Sequence, residues 1–198
     1  IMDTLECNKS ITKFALTCEA FSLQGGKYIS KMLATNTTLQ HIDLSEIYIC
    51  GGPQIGIITE GLKHNKNLTH LSLSAYITKE GLEHLLKLLQ SNTKLKQIDF
   101  EGNMDCSWWI GNEEIMHKVI FQMCLNYSGF SQKMQGDKIP HDEWVDTLIS
   151  TTRTAETFLN DVWLKNVRVE SRYKIDVDLA LSSSYYCLRN MVDKLFIL

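Results

Sequence analysis

Four stretches of the chain carry one pattern, and that pattern constrains the fold more than any other feature. They run from Asn8 to Leu16, Asn36 to Leu44, Asn65 to Leu73 and Asn92 to Phe100. Each reads Asn-x-x-φ-x-x-φ-x-φ, where φ is apolar, and the asparagines stand 28, 29 and 27 residues apart. Self-similarity at such a period marks a stack of small units, none of which can bury its apolar face without its neighbours. Within each stretch the closing φ-x-φ alternates with period two, as a half-buried strand requires. The expected inward pairs are Phe14 and Leu16, Ile42 and Leu44, Leu71 and Leu73, and Ile98 and Phe100.

Between the strands the period changes to that of a helix. Ile77, Gly81, Leu82, Leu85, Leu86 and Leu89 recur at three- and four-residue intervals and define one helical face. Thr78 stands at the N-cap position, and Glu80 and Glu83 place negative charge near the helix start. The unit before it offers Ile57, Ile58, Gly61 and Leu62, and the first offers Gly26, Ile29, Met32 and Leu33. Each unit is therefore predicted to be a strand followed by a helix.

Over residues 8 to 103 the chain resembles the leucine-rich repeats of the ribonuclease-inhibitor type. The resemblance implies an α/β fold: a short right-handed horseshoe with parallel strands on the concave side and helices on the convex side. Such repeats usually carry Asn or Cys three residues after the last strand leucine, bonding neighbouring loops. Here those positions hold Glu19, Ile47, Tyr76 and Asn103, of which only the last fits. The expectation is a weak ladder and irregular turns, particularly around Cys50-Gly51-Gly52-Pro53. Met2 to Cys7 is too short to cap the open end, which points to a partner or further chain over it. The opening Ile1-Met2-Asp3 reads as an extra residue before a natural start or as a fragment.

Beyond Asn103 the period stretches. Ile115, Val119, Ile120 and Met123 form a further helical face closed by Asn126, 34 residues after Asn92. This divides the chain into 1–126, about four strand–helix units with the last divergent, and 127–198, a small helical cap or bundle. The second part rests on amphipathic stretches around Trp144 to Ile149, Ala155 to Trp163 and Leu188 to Phe196.

Composition narrows the functional classes. The net charge is −3, and residues 1 to 103 hold ten Lys, no Arg and ten acidic residues, so neither half offers an obvious basic surface. A nucleic-acid binder normally shows one. No apolar run approaches the roughly 20 residues that span a bilayer. The six cysteines form no CxxC pair and read as reduced thiols in a cytoplasmic setting. No P-loop, nucleophile elbow, zincin or dinucleotide motif is present.

Strand alternation places Lys13, His41, Asp43, His70, Ser72, Gln97, Asp99 and Glu101 on the outward sheet face. These, with Trp108 and Trp109 in the insertion, are the candidate partner-binding residues. His41 and His70 should be neighbours with Asp43 nearby. That cluster reads as a solvated face, as a protein-binding patch, or as a metal or acid–base site. The leading expectation is recognition of a protein partner through the concave face, without cofactor, metal or catalysis. The family resemblance and a Lys-, Asn- and Ile-rich composition imply a secreted effector of an intracellular bacterium, acting in a host cytosol. The alternative is an enzyme or regulatory domain in the helical half, around Cys187 or the Cys106–Trp109 insertion.

Overall fold

The computed structural model describes residues 1–17, 22–47, 51–74, 77–101, 112–127 and 129. The expected helical half after Tyr127 and the insertion bearing Cys106, Trp108 and Trp109 lie outside these residues. The elements are α1 (Met2–Cys7), β1 (Lys13–Ala15), α2 (Leu23–Thr35), β2 (His41–Leu44), α3 (Gly52–Leu62), β3 (His70–Ser74), α4 (Lys79–Ser91), β4 (Gln97–Glu101) and α5 (Glu113–Tyr127). The fold is mixed α/β. Its four strands form one parallel sheet in the order β1-β2-β3-β4. Each helix packs on the next, from α1 against α2 through to α4 against α5.

The register puts like positions side by side. Phe14, Ile42, Leu71 and Ile98 form one row, and Leu44, Leu73 and Phe100 another. From Ile42 onward both rows are buried and join the helix residues Ile29, Leu33, Ile58, Leu62, Leu85 and Leu89 in one core. Phe14 and Leu16 were expected inside but are only half-buried. Ile11 is 37% exposed, whereas its counterparts Leu39, Leu68 and Leu95 are at most 1% exposed. The physical reason is position: among the described residues β1 has a neighbour on one side only, so its unit lacks the second surface that seals the others.

The helix starts obey local chemistry. The Thr78 hydroxyl accepts from Gly81 N at 3.3 Å, as the sequence predicted, and Ser22 accepts from Gly25 N at 3.2 Å to start α2. Gly51-Gly52-Pro53, expected as an irregular turn, instead opens α3, with proline in the first turn where its missing N–H costs nothing. The buried face of that helix is therefore Ile55, Ile58, Thr59 and Leu62, and Ile57 is only half-buried, contrary to expectation. Met2 to Cys7, expected to be too short to cap the stack, forms a helix that buries Leu5 against α2.

The polar ladder runs elsewhere than expected. Asn36, Asn65, Asn92 and Asn126, at the helix ends, are all buried. Asn36 Nδ2 donates to Leu5 O at 2.6 Å. Asn65 Nδ2 donates to Leu33 O and Asn36 O, and Asn92 Nδ2 to Leu62 O and Asn65 O. Asn126 Nδ2 lies 3.0 Å from Leu89 O, Asn92 O and Leu95 O. Meanwhile the side-chain oxygens of Asn36, Asn65 and Asn92 each accept from two backbone N–H groups two and three residues on, an Asx turn that leads the chain from helix into strand. At Ile47, where a loop-ladder residue was sought, an apolar side chain is fully buried instead.

Two stability experiments follow. Replacing Asn65 with alanine strands buried partners on both sides and is expected to cost about 2–5 kcal/mol by urea denaturation. Asn8 makes the same turn, with Ser10 N and Ile11 N, but its side-chain amide bonds no preceding carbonyl among the described residues, so Asn8→Ala should cost under about 1.5 kcal/mol. Gly61 occupies the place of Met32 and Leu88 in the neighbouring units, and a Cβ there would run into the backbone carbonyl of Ser30. Gly61→Ala should destabilise by about 1–3 kcal/mol in the same assay, despite the better helix propensity of alanine.

Candidate functional site

The outward face of the sheet carries two polar rows. The first is Lys13, His41, His70 and Gln97, in direct register, and the second is Ala15, Asp43, Ser72 and Asp99. Glu101 ends β4 in register with Ser74. The alternation that sends Ile42 and Leu44 into the core sends His41 and Asp43 outward, so the expected placement of these residues holds. Trp108 and Trp109 are the two candidates outside the described residues.

His41 and His70 are brought together. Their rings stack with centroids 5.6 Å apart and planes 27° from parallel. His41 Nε2 lies 3.4 Å from Ser72 Oγ. The Thr69 hydroxyl lies 3.1 Å from Gln40 O and 2.7 Å from His70 Nδ1. That hydroxyl has a single hydrogen, so it donates to one of the two and the tautomer of His70 decides which.

The carboxylates do not join the pair as the sequence suggested. Asp43 turns along its own strand and accepts from Ser45 N at 2.9 Å and Ser45 Oγ at 2.6 Å. Asp99 accepts from Gln97 Nε2 at 2.7 Å. Ser72 and Gln97 are 2% and 7% exposed, so they lie buried beneath the surface that the histidines form. Lys13 is exposed, and His41, Asp43, His70 and Asp99 are half-buried. Among the described residues no three His, Cys, Asp or Glu side chains converge as a metal site would need. The face can donate and accept hydrogen bonds, offer a stacked aromatic surface, and change charge with pH.

Burial holds the His70 pKa below the ordinary histidine value, and the neighbouring His41 adds to the effect. Asp99 pulls the other way, and Lys13 and Lys96 push further down. Lys96, one residue before β4, was not among the predicted site residues. Its signal was present, since it occupies the position that holds Thr12, Gln40 and Thr69 in the other units.

The sequence matches no protein-family model and resembles no curated protein. None of the described helices is long and apolar enough to cross a membrane.

The histidine shift has a definite sign. A lowered folded-state pKa means that the unfolded chain takes up the proton first as pH falls. Stability is therefore fully present above the ordinary value of 6.5 and is lost as pH drops from there toward the lower folded pKa. Urea midpoints measured from pH 7.5 to 5 should fall below about pH 6.5, and His70→Gln should flatten that fall.

Proposed function

We propose that this chain is a short leucine-rich-repeat horseshoe that recognises a protein partner through the open face of its sheet. The single observation that carries this reading is the stacked His41–His70 pair, set among Lys13, Asp43 and Asp99 on the face turned away from the helices. Such a surface is built from rigid strands, so its side chains lose little freedom on docking. It mixes a flat aromatic area with charges of both signs, a composition suited to a selective polar interface. The ladder of buried asparagines supports the repeat reading, because it joins like positions of successive units. The Lys-, Asn- and Ile-rich composition supports a setting as an effector delivered into a host cytosol.

Affinity capture tests the face. His41→Ala/His70→Ala should reduce recovery of the partner by about tenfold or more, the loss of a contact near the centre of an interface. The helix-surface control Lys27→Ala/Glu83→Ala should recover it as the native chain does. Equal recovery by all three proteins would remove the sheet face as the binding surface. With the partner in hand, its affinity should change between pH 7.5 and 5.5 as His70 gains charge, which isothermal titration would register.

A further inference from the structure

The balanced charge of residues 1 to 103 conceals a local imbalance. At the edge of the sheet where the strands begin, the helix-to-strand turns enclose an open groove of about 590 Å³. Lys9, Lys66, Lys94 and Lys96 line it, together with threonine hydroxyls and side-chain amides. None of its described lining residues is acidic or aromatic. The ion pairs among the described residues involve Lys31, Lys63, Lys118 and His84, so none of the four groove lysines has a carboxylate partner there. Lys9 makes one neutral contact, donating to Thr37 Oγ1 at 3.0 Å. The asparagine turns set where these residues stand: Lys9 and Lys66 directly follow turn asparagines, and Lys94 and Lys96 stand two and four residues after another.

We propose that this groove binds an acidic peptide segment, laid in extended form across the starts of the strands. Lys9 belongs to the first strand–helix unit and Lys94 to the fourth. Three strand spacings of about 4.8 Å separate them, a span that about four to five extended residues cover at roughly 3.3 Å each. Compact ammonium groups on flexible stems suit carboxylates spaced along such a segment. A phosphate ligand would be better matched by the planar fork of arginine, and no arginine occurs before residue 104. A single-stranded nucleic acid would look for aromatic platforms, which the lining lacks, and would meet a chain of net charge −3. The groove adjoins the His41–His70 pair at Thr69, which lines it and lies 2.7 Å from His70 Nδ1, but Lys66 and Lys94, on which the test rests, make no contact with that pair among the described residues.

The test uses the full chain and a fluorescein-labelled peptide of six glutamates, followed by anisotropy. Saturable binding should weaken by about tenfold or more between roughly 50 and 200 mM salt, as screened charge contacts do. Lys66→Glu/Lys94→Glu should weaken binding by about tenfold or more, while Lys27→Glu/Lys87→Glu, an equal charge change on the helix surfaces, should stay within about threefold. Circular dichroism confirms the fold of each variant, and Lys66→Gln/Lys94→Gln replaces the reversal pair if that pair fails to fold. No saturable binding, or equal losses in the two pairs, would overturn the proposal. Tighter binding of a serine-phosphorylated peptide or an oligonucleotide of matched charge would overturn it as well, in favour of that ligand.

Discussion

The buried asparagines that follow α2, α3 and α4 make the interaction on which the rest of the structure depends. Each oxygen shapes the turn into the next strand, and each amide reaches back to carbonyls of the unit before. One side chain thus does two jobs that would otherwise leave buried backbone groups unpaired. A helix cannot shift along its neighbour without breaking these bonds, and strand register follows because each strand starts a fixed number of residues after its asparagine. The distance along the chain is not what is held constant. Asn126 comes 34 residues after Asn92, yet it still bonds Asn92 O.

The strands, the helical faces and the outward rows were legible because each depends on local periodicity. The role of the asparagines was not. Asn36, Asn65 and Asn92 marked the period in the sequence, but their carbonyl partners lie 27 to 32 residues away. The search for a ladder went instead to the position of Ile47, which is apolar and buried. Ile57 was misplaced because the start of α3 depends on Pro53 joining the helix, and a short apolar run does not reveal its own phase. Half-burial of Phe14 is a property of the end of the stack, invisible in a pattern that repeats without distinction.

The site shows the same division. Register foretold that His41 and His70 meet, since both head their strands. The orientation of Asp43 toward Ser45 depends on a rotamer that alternation does not specify. The basic groove was hidden by summation, because ten lysines cancel ten acidic residues in the count but not in space. Across the sheet, positive groups gather where the strands start and Asp43 and Asp99 lie further along, with the histidines between. The pair therefore sits between positive groups on one side and carboxylates on the other, and both kinds of charge act on His70.

The ladder also has a direction. Each asparagine amide donates to carbonyls earlier in the chain, from Asn36 to Leu5 O through to Asn126 to Asn92 O. A chain synthesised from its N-terminus presents every acceptor before the donor that needs it. As each ladder asparagine leaves the ribosome, the carbonyls it bonds have already been made, and the apolar face of its unit is sealed when the next one arrives.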